Sequence, residues 1–351
     1  VALDIPEIAR LARADSGALY LATVVRTEGP CYRKVGARLL VGELGRLAGA
    51  VSGGCVERAL VRRIEWLTRA GAAIETYDTA ADGDETDASY LGCGGTIDVL
   101  LQRIDPALLG MLERVAGRDG DACIATVLSS ADVATPVGSS WAWLGDSDGA
   151  SAPAWAAAFQ DRAVASLGDQ SHRRVTADGP AGPITALVEY VPPPRRLLVA
   201  ARHYDAGPLL RIAREAGWEV TLATGQDADD LGAPDTRIGL DEPGIDAWVR
   251  GNRGGAVVIM THSVALDRRC LATALRAGPP RYLAVLGPSS RTRSLIEAIG
   301  DLPDGVADCV RAPAGLNLGG EGAASIAIAI VAELEKVYAR RTPVLELDGP
   351  P

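Results

Sequence analysis

Apolar positions recur at three- and four-residue spacing from Ile5 to Ala14, with Ile5, Ile8, Ala9, Leu11 and Ala12 on one side, and again at Val56, Leu60, Ile64 and Leu67. Both stretches predict amphipathic helices. Between them, Leu19 to Thr27 is rich in β-branched and aromatic residues and predicts a strand. Shorter strands follow at Arg38 to Val41 and Arg46 to Ala50, then at Ala73 to Tyr77 and Thr96 to Leu101, before a helix at Pro106 to Val115. The middle is less regular: strands are expected at Ala122 to Leu128, Pro136 to Leu144 and Ile184 to Val191, and a helix at Pro153 to Ala165. Pro192-Pro193-Pro194 lacks backbone donors and favours a stiff extended conformation, which marks a domain boundary.

From Arg195 the pattern changes. Strand-like runs at Arg196 to Ala201, Trp218 to Ala223, Ala256 to Met260 and Tyr282 to Leu286 alternate with helical runs at Ala206 to Ala216, Leu266 to Arg276, Arg291 to Ile299 and Ala323 to Tyr338. Such alternation predicts a parallel sheet covered by helices on both faces. The expected fold class is α/β: an N-terminal α+β domain over residues 1–115, a middle α/β segment with its proline linker over 116–194, a Rossmann-like doubly wound parallel sheet over 195–340 and a tail over 341–351.

An apolar fraction of 48% over 351 residues supports sizeable cores in two or three domains. The net charge of −10 argues against nucleic-acid and anionic-membrane partners, leaving a small molecule or another protein. No apolar run reaches the length of a membrane span, and Val1 to Asp15 lacks the pattern of a secretory signal, so the expected compartment is cytoplasmic. Six scattered cysteines fit reduced thiols in that compartment. The three histidines stand at no metal-ligand spacing, and the acidic loop Asp78 to Asp87 lacks the EF-hand order.

Candidate chemistry gathers around two glycine-flanked cysteines, Ser52-Gly53-Gly54-Cys55-Val56-Glu57 and Gly92-Cys93-Gly94-Gly95. Cys55 falls at a helix start, where unpaired N–H groups favour an anion or thiolate, and Gly53 and Gly54 let a ligand approach the main chain. The alternative is a tight turn with Cys55 as a small buried apolar residue. The turn from Gly29 to Gly36 adds Cys31 and the basic pair Arg33 and Lys34.

In the second domain, ligands are expected at the carboxyl ends of the strands. The residues there are Arg202, His203 and Asp205, then Thr224, then Thr261 and His262, then Ser289 to Arg291. The first strand turns into its helix without the glycines of a dinucleotide fingerprint and the second strand ends in Thr224 instead of an acid, so ordinary NAD(P) binding is not expected. Arg202 suits a phosphate or carboxylate. His262 reads either as a packed or helix-capping residue or as an acid, base or ligand contact. Ser289 and Ser290 beside Arg291 read as a helix cap or as an anion loop.

Gly29 to Ala37, Ser52 to Glu57 and Gly92 to Gly95, followed by Thr261-His262 with Asp267, Leu286-Gly287-Pro288, and Ala312-Pro313 through Gly320 to Ala332-Glu333, resemble the motifs of the XdhC/CoxI family. The resemblance implies an XdhC-type N-terminal domain before the Rossmann domain. It further implies an accessory factor that binds molybdenum cofactor and assists its sulfuration and insertion into a molybdenum hydroxylase apoenzyme, working as an oligomer such as a homodimer. Carried over by motif, Cys55 is the leading cofactor contact and Cys93 the second; the residues' own placement adds Gly53, Gly54, Arg33, Arg202, His203, Ser289 and Arg291 as candidate ligand contacts and Cys55, Cys93 and His262 as candidate catalytic residues. The chain departs from the family at Gly29-Pro30-Cys31-Tyr32-Arg33, at Ala201-Arg202-His203, and at Thr224 and Gln226. The alternative these departures raise is a cysteine-dependent oxidoreductase or thiol-chemistry enzyme, with Cys55 attacking and Cys93 or Cys31 resolving.

Overall fold

The computed structural model describes residues 5–78, 95–144, 151–179, 181–225, 231–300, 302–303, 305–339 and 343–347. The chain divides into two compact units, Val1–Pro193 with Arg341–Pro351, and Pro194–Arg340.

The first unit runs α1 (Ile5–Ala14), β1 (Tyr20–Glu28), β2 (Arg38–Gly42), β3 (Gly45–Gly49), α2 (Cys55–Leu67), β4 (Ala73–Asp78), β5 (Thr96–Arg103) and α3 (Pro106–Gly117). It continues through β6 (Ala122–Ser130), β7 (Ser140–Trp143), α4 (Ala154–Ala157), α5 (Gln160–Asp169), β8 (His172–Gly179) and β9 (Gly182–Val191). An antiparallel sheet in the order β3-β2-β1-β5-β4 carries α2 on one face, where Val56, Leu60 and Ile64 pack on Val24, Leu39 and Val99. α1 and α3 cover Leu21 and Leu40 and join Ile124, Ala142 and Val191 of the second sheet in one core.

Four details of this unit depart from the sequence expectation. The helix expected over Pro153 to Ala165 is two pieces, α4 and α5, and the strand expected over Pro136 to Leu144 shrinks to β7. β8 is an added strand: its His-Arg-Arg opening is polar, and Arg173 is buried through hydrogen bonds to Asp169, Ser166 and Ser171. Finally, the tail contributes Val344–Leu347, which pairs in parallel with β8 at the edge of the second sheet. The two sheets of this unit are tied by a bidentate pair, Arg38 Nη1 and Nη2 donating to Glu189 at 2.9 and 2.6 Å, with side chains 4% and 2% exposed.

The second unit runs β10 (Arg196–Ala201), α6 (Ala206–Glu215), β11 (Glu219–Thr224), β12 (Thr236–Gly239), α7 (Glu242–Gly251), β13 (Ala256–Met260), α8 (Val264–Arg276), β14 (Tyr282–Val285), α9 (Ser289–Glu297), β15 (Val310–Arg311) and α10 (Ala323–Tyr338). Its strands are all parallel, in the order β12-β11-β10-β13-β14-β15. The alternate residues Leu197, Val199 and Ala201 face α6 and α10, while Leu198 and Ala200 face the core formed with α7, α8 and α9. Covering both faces explains why these strands are continuously apolar. The order reverses between β10 and β13, so the crevice of such a sheet opens at their carboxyl ends, at Arg202 and His262. A doubly wound sheet in one unit and an α+β arrangement in the other make up the expected α/β fold class. Among the described residues no helix is long and apolar enough to cross a membrane.

Candidate functional site

In the first unit, a register shift between Val24 and Arg26 interrupts the β1–β5 ladder just before the Gly29 to Gly36 turn. Three sequence motifs meet there. Cys31 Sγ lies 3.5 Å from the carbonyl oxygens of Glu28 and Thr96, and Arg33 Nε donates to Ala50 O at 3.0 Å, beside the first glycine-cysteine loop. Gly95 ends the second loop against this turn. A Cβ on it would stand 2.6 Å from the carbonyl oxygens of Glu28 and Pro30 and 2.8 Å from Cys31 Sγ, so only glycine fits. Cys93 and the rest of that loop lie outside the described residues.

Cys55 is the first residue of α2, as expected, and Gly54 before it has φ 121°, a conformation open to glycine. Gly53 and Gly54 are exposed, and a Cβ on either would meet nothing within 4 Å. The Glu57 carboxylate accepts from Val51 N at 2.9 Å, Ser52 N at 2.7 Å, Gly54 N at 2.9 Å and the Ser52 hydroxyl. The carboxylate thus gathers N–H groups of the turn just ahead of α2, while Val56 N in the first turn donates to the Ser52 hydroxyl at 3.3 Å. Burial alone would raise the Glu57 pKa, but the hydrogen bonds from the Ser52 hydroxyl and from the backbone hold it below its ordinary value. Glu57 is not among the residues that the sequence singles out for chemistry. Its signal is an acid at the third position of a helix after Gly54.

In the second unit, His262 stands just past β13 with φ 57°, in left-handed backbone that few non-glycine residues adopt. Its Nε2 lies 2.6 Å from Asp205 Oδ2, and its ring centroid is 5.9 Å from that of His203, tilted by 50°. The capping role falls to Ser263, whose hydroxyl accepts from Leu266 N, not to His262. Arg202 is half-buried and makes no hydrogen bond or ion pair among the described residues. Asp205 Oδ1 and Thr224 Oγ1 are buried without a hydrogen-bond partner among those residues.

Ser289 and Arg291 serve the scaffold. Arg291 Nη2 donates to Asp267 Oδ2 at 2.6 Å, and its Nη1 reaches the Leu286 carbonyl. Asp267, 1% exposed, also accepts from Thr261 N and the Thr261 hydroxyl, so this group pins the end of β13 to α8 and α9. Ser289 donates to Ala312 O at 2.6 Å, and Pro288 occupies the cap position of α9 without a side-chain cap bond. The expectation that Ser289 or Ser290 caps the helix is therefore corrected: both lie inside α9, after Pro288. Glu333 plays a matching part on α10, accepting from Tyr282 Oη, Arg311 and Gly315 N. Among the described residues no group of His, Cys, Asp and Glu is arranged to hold a metal ion.

Comparison with known proteins agrees with this architecture. Residues 12–78 match the model of the XdhC and CoxI family and residues 197–334 that of the XdhC Rossmann domain. The chain is 27% identical over 322 residues to a protein of Bacillus subtilis named as a probable xanthine dehydrogenase component, covering 90% of this chain and 91% of that one. It is 36% identical over 100 residues to the molybdenum cofactor insertion chaperone PaoD of Escherichia coli, covering 28% of this chain and 31% of that protein. The crystal structure of a xanthine dehydrogenase from Bacillus halodurans shares the fold, with a TM-score of 0.68 at 23% identity over 95% of both chains. With its amino-terminal motifs, its parallel sheet and both family models in their expected order, the chain belongs to the XdhC/CoxI family.

Proposed function

We propose that this protein is an accessory factor that binds molybdenum cofactor and assists its sulfuration and insertion into a molybdenum hydroxylase apoenzyme. The observation that carries this reading is the near full-length likeness to a protein named as part of a xanthine dehydrogenase, together with the shared stretch in a cofactor insertion chaperone.

The first unit offers a physical basis for handling such a cargo. The turn leading into Cys55 is tied to Glu57 through Val51 N, Ser52 N and Gly54 N, while a Cβ on Gly53 or Gly54 would meet nothing within 4 Å among the described residues. A thiolate is a suitable soft donor for molybdenum or for sulfur transfer, and Cys55 is the residue placed at the head of that loop. Arg33 and the exposed Lys34 of the neighbouring turn carry the nearby positive charge.

The test is cofactor binding under anaerobic conditions, using cofactor released from a purified hydroxylase. The wild-type protein is expected to retain it, and Cys55→Ala to lose at least tenfold in affinity while keeping its melting temperature. No binding by the folded wild-type protein would overturn the proposal.

A further inference from the structure

Where the strand order reverses, a dinucleotide-binding sheet presents glycines and an open helix start to its ligand. Here β10 ends instead in Arg202 and His203, and β13 in His262. Four independent features of this edge are left unaccounted for by the fold itself. Arg202 has no partner among the described residues, although it is half-buried. Among the described residues Asp205 Oδ1 is buried without a hydrogen-bond partner while Oδ2 meets His262, and Thr224 Oγ1 at the end of the adjacent strand is likewise without one. His262 is held in left-handed backbone while its side chain remains 49% exposed.

An unsatisfied buried polar atom and a non-glycine residue in left-handed backbone each cost stability in isolation. Their convergence at the point where such sheets bind ligands contrasts with the rest of this edge, where Asp267, Arg291 and Ser289 are all engaged.

We propose that this edge is a binding site for a phosphate-bearing small molecule, with Arg202 anchoring the phosphate and the Asp205-held His262 accepting a proton-bearing group of the same ligand. The chemistry follows from the geometry. A guanidinium presents paired donors to phosphate oxygens. A carboxylate 2.6 Å from Nε2 keeps the proton of the neutral imidazole on that nitrogen, so Nδ1 carries the lone pair and accepts from a ligand O–H or N–H. Nδ1 has no partner among the described residues. His203, against the same ring, occupies space that backbone-bound pyrophosphate takes in a glycine-lined site, so the phosphate is gripped by side chains. The site lies wholly within the second unit and does not depend on the cofactor function proposed above: a chain that never handles molybdenum would still bind a phosphate through Arg202.

The test is calorimetric titration of the full chain with inorganic pyrophosphate, followed by competition with AMP and with molybdenum cofactor released from a purified hydroxylase. Arg202→Gln is expected to weaken pyrophosphate at least tenfold without lowering the melting temperature. His262→Asn keeps a residue tolerant of left-handed backbone. It is expected to leave pyrophosphate within twofold and to weaken the successful competitor at least fivefold. Displacement by AMP assigns the site to nucleotides, displacement by the released cofactor assigns it to the pterin phosphate, and either sustains the proposal. It is overturned if millimolar pyrophosphate does not bind, if Arg202→Gln changes nothing, if neither competitor displaces the probe, or if His262→Asn leaves the competitor's affinity intact.

Discussion

At the start of α2, one carboxylate, Glu57, gathers three backbone N–H groups and a serine hydroxyl within a single turn of chain. At the junction of β10 with α6, another carboxylate, Asp205, holds one imidazole, and its second oxygen is buried without a partner among the described residues. Both junctions follow a strand, both open a helix, and both carry residues that the sequence marks for chemistry. The first satisfies its polar groups from within and so offers a rigid, glycine-topped platform. The second leaves Asp205 Oδ1 and Thr224 Oγ1 buried without a hydrogen-bond partner among the described residues. The two junctions thus differ in how far the chain meets its own polar groups.

This contrast can be undone most directly at Glu57. Glu57→Ala strands Val51 N, Ser52 N and the Ser52 hydroxyl in a buried turn. It is expected to cost about 3 kcal/mol, in line with orphaned buried hydrogen-bonding groups, seen as a lowered unfolding midpoint in urea. A change below about 0.5 kcal/mol would mean that the clamp is not what holds the loop.

A smaller effect lies in the acid limb. The folded-state pKa of Glu57 is depressed from the ordinary 4.5, so its stabilisation is fully present above that value and is lost as pH falls through the folded pKa. Glu57→Gln is therefore expected to be less stable near neutrality yet to lose less on further acidification. Melting temperatures of both proteins from neutral pH down to about pH 3 check the sign, and parallel acid limbs would refute it.

The smallest effect has the opposite direction and probes the other junction. Thr224→Val removes an unbonded buried hydroxyl at nearly constant shape and is expected to raise stability by up to about 1 kcal/mol. A loss of stability would show that this hydroxyl is engaged in the free protein, and the contrast between the two junctions would narrow.

Much of this organisation is legible in the chain. The helices Ile5–Ala14 and Cys55–Leu67, the strand-helix alternation after Pro194, and the placement of Cys55 at a helix start all follow from local periodicity and glycine spacing. β8 is not legible, because burial of Arg173 depends on Asp169, Ser166 and Ser171 folding back to meet it. The engagement of Arg291 is hidden for a similar reason: its partner Asp267 lies 24 residues away, on the preceding helix.

Local sequence thus settles most of the elements, their order and the residues standing at their ends, since these depend on interactions among near neighbours. Which of those residues are spent and which are left over is settled only once the chain has folded. Arg38 finds Glu189 across 151 positions and His262 finds Asp205 across 57, pairings that no local pattern encodes because they arise only when sheets and crossovers close. Electrostatic and hydrogen-bond partners are chosen by distance in space, and that distance is set by the packing of both faces of each sheet.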